Sequence, residues 1–246
     1  DKDKKLSEKE KERELDRKDD EKIYNKLVNL YTLDKFEKCI EEADKYVKNE
    51  NYARSPYPYL YTSMSYLGIH NDQDNHDLKK YKDPLRKALN FMGRFKKKDK
   101  EGTFQKENAE FLRDLRKATL LESANLNERK DNKNLQNLAR DIVKNYDKDA
   151  GMLLIGGTYL NRSEAKIDGD RAIETGMNLL KKMKEDGRKD FDPEQTEQLT
   201  QAFTIYTDYL ADIKDTSKAK STIQFAKDLL PDNEKLNKQF DKISKL

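Results

Sequence analysis

Residues 203–231 read FTIYTDYLADIKDTSKAKSTIQFAKDLLP, and this stretch decides the fold. Phe203, Tyr206, Thr207 and Leu210 recur at three- and four-residue spacing, the period of one face of an α-helix. Asp215 starts a second helix, whose inward positions Ala219, Ala226 and Leu229 are small or apolar, and Pro231 ends it. Two antiparallel helices in contact explain the small residues, since alanine lets two backbones approach closely. Outward from this hairpin, Asp192-Pro193 opens the first helix. Downstream, Asn233 to Leu246 reads as one further helix that closes the chain.

The same pairing recurs upstream. Ala150 to Asn161 and Gly169 to Lys184 form the preceding pair, with Met152, Ile155, Gly156 and Tyr159 facing Ala172, Ile173, Gly176 and Leu179. Asn132 to Tyr146 is preceded by a longer helix spanning Phe104 to Leu126. Tyr57 to Ile69 pairs with the helix that Asp83-Pro84 opens, a cap followed by proline at the first helical position, which carries Leu85, Ala88, Leu89, Met92 and Phe95. Near the start, Ile23, Leu27, Leu30 and Tyr31 precede Phe36, Cys39, Ile40, Ala43 and Tyr46. The sum is five helical hairpins and a terminal helix. Composition agrees, for Leu occurs 28 times and Val three times among 246 residues, which starves any large sheet.

Charged residues make up 40% of the chain, yet 51 basic residues face 48 acidic ones for a net +3. That balance argues against nucleic acid as the main partner, because phosphate binding needs a concentrated basic face. The densest basic cluster, Arg94, Lys96, Lys97, Lys98 and Lys100, ends a helix and complements its dipole. The longest apolar run, Met152 to Ile155, is far too short for a membrane span. Residues 1–22 carry 19 charges with only Leu6, Ser7 and Leu15 between them, so they read as a charged extension, helical or frayed. Residues 23–246 then form the repeat domain.

Antiparallel helix pairs with small residues at fixed contact points mark a helical solenoid. The pattern resembles the tetratricopeptide repeat, a helix-turn-helix unit of 34 residues. The units beginning at Tyr24, Met152 and Phe203 carry the resemblance best, with Tyr59 and Phe111 anchoring two lengthened ones. Membership implies an all-α, right-handed α-solenoid of about five hairpins with a C-terminal capping helix. It also implies a concave groove, lined by the first helices, that binds extended peptides or helices. Some members clamp a terminal carboxylate through Lys, Asn and Arg. Asn29 and Arg113 fall at such positions, but the matching lysines are absent.

Chemistry beyond binding finds little support. No CxxC, HExxH or GxSxG occurs, and Gly156-Gly157 sits in an apolar helix where close packing explains it better than phosphate binding. His70 and His76 flank an Asp- and Asn-rich loop that lacks the glycine and closing glutamate of a calcium site. Lone Cys39 occupies a small contact position and reads as a buried thiol. Carboxylates are too common for any pair of them to be informative. No enzyme, cofactor or metal is therefore expected.

The expected function is that of a protein-interaction module holding a polypeptide in its groove. In the repeat register Tyr57 and Tyr61 of the second hairpin, and Leu153 and Leu154 of the fourth, point into that groove. An exposed apolar patch there would mark a partner site; alternatively the chain covers this face itself. The rival from another class is a permanent structural subunit of a bacterial envelope or secretion assembly, distinguished by a larger apolar interface. The start at Asp1 and the Lys-, Asp- and Asn-rich surface resemble exported bacterial repeat proteins, which implies a periplasmic location.

Overall fold

The computed structural model describes residues 18, 20–49, 52, 54–188 and 190–246. Most of the charged extension therefore lies outside the described residues. The described chain is helical throughout, with no strand. It divides into two compact units, Asp1–Leu120 and Leu121–Leu246.

In the first unit, helix α1 (20–32) buries Ile23 and Leu27 against Cys39, Ala43 and Tyr46 of α2 (Phe36–Val47). Cys39 is wholly buried, its Sγ 3.6 Å from the carbonyl of Leu27, and burial pushes its thiol up to about 11. It is the structural thiol the sequence suggests. Helix α3 (Tyr57–Asn71) packs against α2 and against α4 (Pro84–Lys98), where the Ser63 hydroxyl donates to the carbonyl of Ala88 at 2.6 Å. Pro84 does stand at the first position of α4, but Asp83 makes no capping bond. Its backbone is left-handed (φ 50°) where a capping residue is ordinarily extended, and its carboxylate lies 3.8 Å from Arg86 in the first turn. The expected single helix over Phe104 to Leu126 is broken into α5 (Thr103–Glu107) and α6 (Ala109–Glu128), whose residues from Leu121 on belong to the second unit. At the break the Phe104 carbonyl accepts both the backbone N–H of Asn108 at 3.0 Å and its side-chain amide at 2.8 Å.

The second unit holds α7 (Asn132–Asn145), α8 (Ala150–Arg162), α9 (Lys166–Glu185), α10 (Pro193–Asp212), α11 (Thr216–Leu229) and α12 (Glu234–Ser244). Asp149, Asp192, Asp215 and Asn233 each cap a helix by accepting a backbone N–H, as the sequence predicts for Asp192 and Asp215. Helix α8 is enclosed by α7, α9 and α10, so every residue from Ala150 to Asn161 is buried. A Cβ on Gly156 would stand 2.9 Å from side-chain atoms of Ile142 and Val143, and one on Gly176 would stand 2.9 Å from the carbonyl of Ala150. These glycines are where α8 meets α7 and α9. First helices of successive hairpins also touch: Gln198 on α10 donates to Asp149 at 3.0 Å, and Arg162 on α8 donates to Asp212 at 2.9 Å. Helix α12 closes the unit with Leu236 and Ile243 buried, and Gln239 donates to Thr207 and Asp208 on α10.

Four of the hairpin turns are built alike. Asp34, Lys130, Glu164 and Lys214 are left-handed, with φ between 54° and 71°, and the next N–H reaches back five residues to a carbonyl of the first helix. This is the usual glycine-bearing helix end, made here without glycine. The residue five beyond each is Cys39, Leu135, Gly169 and Ala219, so the turns set the register of the third hairpin, which its small residues do not. Lys130 and Glu164 stand 34 residues apart. Left-handed backbone disfavours a Cβ, so Lys130→Gly, Glu164→Gly and Lys214→Gly should each stabilise by about 0.5 kcal/mol, the strain relieved less the extra unfolded-chain freedom. Urea midpoints check this; a lowered midpoint for all three would show that the turns carry no strain.

Candidate partner-binding groove

One open groove of about 810 Å³ runs across the first unit. Its apolar floor comes from the end of α1 and the start of α2 (Tyr31, Phe36), from α3 (Met64, Leu67) and from α6 (Phe111). The Phe36 ring lies flat on α3 because residue 68 is glycine. A Cβ there would come 2.6 Å from that ring. The far wall is the loop after α3, where His76 packs its ring 5.9 Å from Phe36 and places Nδ1 3.3 Å from Glu37. Polar turn chemistry shapes this loop, with Asn75 donating to Asp72 at 2.7 Å. No group of three or more metal-ligating side chains gathers among the described residues.

Five carboxylates rim the floor: Asp34, Asp72, Glu107, Glu110 and Asp114. Among the described residues no lysine or arginine lines the groove, and none of the five carboxylates is in an ion pair. Their field reaches the floor. The Tyr31 phenol is raised above its ordinary value, first by burial and then by Asp34, with Cys39 and Asp114 adding to the effect.

An aromatic ladder continues from the groove into the core. Tyr31 lies 5.6 Å from Phe36 and 5.9 Å from Tyr61; Tyr61 lies 6.2 Å from Tyr24; Tyr57 sits between Tyr24 and Phe104, 5.1 Å from each. Tyr61 is 6% exposed, so it is a core side chain rather than a groove-facing one. Burial, with Tyr24 and Tyr57 nearby, lifts its phenol far above the ordinary range. Tyr57 is half-buried and its phenol is pushed up to about 12, mainly by burial and then by Asp20 and Glu107.

The other expected site residues are dispersed. Asn29 is exposed on α1 and Arg113 is half-buried on α6, and neither lines the groove. Leu153 and Leu154 are 3% and 0% exposed, in the core of the second unit. The correction has a simple cause: α8 is covered on three sides, so its apolar residues have no open face. Helical spacing identifies an apolar face but does not count the neighbours that cover it. The carboxylate rim escaped the sequence because its members are spread over eighty residues in a chain with 48 acids.

No helix among the described residues is long and apolar enough to cross a membrane. No family model matches the chain, and no curated protein sequence matches it. Among solved structures, the chain is similar to the TPR2AB domain of yeast Sti1 in its complex with pHSP90. That likeness has a TM-score of 0.34 and 13% identity, over 92% of this chain and 98% of that one.

Proposed function

We propose that this chain is a non-enzymatic protein-interaction module that binds a polypeptide segment in the groove of its first unit. The observation that carries the reading is the concave apolar floor of Tyr31, Phe36, Met64 and Phe111, bounded by α6 and by the loop after α3. Such a floor offers several shallow apolar contacts to a segment laid along it, and polar groups at its edge fix orientation. Tyrosine and phenylalanine suit the role, since they bring large contact area with few rotamers to freeze. In this reading Tyr57 flanks the site and Tyr61 supports its floor from beneath, while Asn29 and Arg113 lie outside it.

The test uses peptides selected on the full chain from a random dodecamer library. A Tyr31→Ser/Met64→Ser variant should bind the selected peptides at least tenfold more weakly while its melting temperature falls by no more than about 4 °C, about 1 kcal/mol or two for a chain this size. Equal binding by the variant would move the site elsewhere. Failure to select any peptide, together with recovery of the chain in a salt-resistant stoichiometric complex, would favour the permanent-subunit alternative.

A further inference from the structure

We infer that the segment this groove accepts is basic, carrying lysine or arginine beside large apolar side chains; this deepens the interaction-module reading and rests on it. The chain as a whole is balanced, at 51 basic and 48 acidic residues, so a groove wall of one sign is a local arrangement and not a consequence of composition. The rim carries Asp34 where α1 turns into α2, Asp72 at the end of α3, and Glu107, Glu110 and Asp114 along α5 and α6. None is neutralised by a cation of the described chain, although Asp72 accepts a hydrogen bond from Asn75. Elsewhere in the same unit acids are paired as usual, Glu41 with Lys80 and Glu42 with Lys26 and Lys45.

Glu110 and Asp114 stand one turn apart on α6, an i,i+4 pair of like charges that disfavours the helix. A bound cation would relieve that repulsion. Carboxylates around a low-dielectric floor also focus the field, which raises the local concentration of cationic segments and speeds their encounter. The floor supplies what charge alone does not: Phe36, Met64 and Phe111 can hold apolar side chains, while lysine or arginine stems lie along the aromatic rings with their heads at the rim. An acidic segment would meet five carboxylates that no cation of the described residues neutralises, and be repelled. The groove therefore selects by sign and by apolar content together.

The experiment measures binding of three labelled dodecamers to the full chain at low salt. One is built from lysine and leucine in amphipathic order, one from glutamate and leucine, and one from serine and leucine. The lysine peptide should bind at least tenfold tighter than either other. It should lose at least tenfold in 0.5 M salt, where screening is short-ranged. It should lose as much in a Glu107→Gln/Glu110→Gln/Asp114→Asn variant, whose three positions are exposed and whose melting temperature should hold or rise. A control variant, Glu185→Gln/Asp241→Asn in the second unit, should bind as the parent does. Equal loss in the control variant, or unchanged binding by the triple variant, would reduce the effect to general charge attraction and overturn the inference. Comparable binding by the serine or glutamate peptide, lost in Tyr31→Ser/Met64→Ser, would overturn the inference while leaving the interaction-module reading intact. Binding of none of the three would defeat both.

Discussion

Gly157→Ala should destabilise the second unit by about 2 kcal/mol, although alanine is the better helix former. Gly157 on α8 and Gly169 on α9 face each other at the closest approach of the two helices. A Cβ on Gly157 would stand 2.7 Å from the carbonyl oxygen of Gly169 and 3.0 Å from the backbone nitrogen of Ile173. Both obstacles are backbone, which cannot rotate aside as a side chain can. Overpacking of this kind costs typically about 1–3 kcal/mol, and here the upper end applies. Against it stands the helix-propensity gain of about 1 kcal/mol for replacing glycine. Packing wins. The melting midpoint should fall by about 4–8 °C on the scale of a chain this size. An unchanged or raised midpoint would mean that α8 and α9 stand further apart than described. Gly187, left-handed at the end of α9 with nothing within 4 Å, should lose by alanine through backbone strain alone.

Tyr61→Ala should destabilise the first unit by about 3 kcal/mol, the scale of removing a large aromatic from a core. Its ring joins Tyr24 and Tyr31 and belongs to the cluster of Ile23, Leu27, Cys39 and Ala43. Tyr57→Ala removes a half-buried ring and should cost about 1 kcal/mol, in proportion to the apolar area it hides. Urea unfolding of the two variants separates them. Equal losses would contradict the assignment of Tyr61 to the core and Tyr57 to its edge.

The contrast between these tyrosines shows what a sequence can carry. Alternating positions on α3 separate two helix faces, and Tyr57 and Tyr61 share one of them. Whether that face is open depends on Tyr24 and Phe104, which arrive from helices thirty to fifty residues away and leave no local mark. The last hairpin was legible because its determinants are local: Asp192, Pro193, Asp215 and Pro231 set the ends of α10 and α11, and Ala219 and Ala226 set their contact. The turns were hidden, since a left-handed residue is normally announced by glycine, and Asp34, Lys130, Glu164 and Lys214 announce nothing. For the groove, Phe36 and Phe111 read correctly as inward positions, but the acidic rim exists only in three dimensions.

The most direct measurement of the central claim places a photo-activatable crosslinking residue at Met64, on the groove floor, and separately at Ile167, 78% exposed on α9 of the second unit. Each full-length variant is irradiated in an extract of the cells that make the protein, with and without the lysine–leucine dodecamer as competitor. Discrete protein adducts at position 64, absent at position 167 and suppressed by the dodecamer, are the predicted result. Adducts at position 167 with none at position 64, or adducts at 64 that the dodecamer leaves unchanged, would contradict the groove as the binding site.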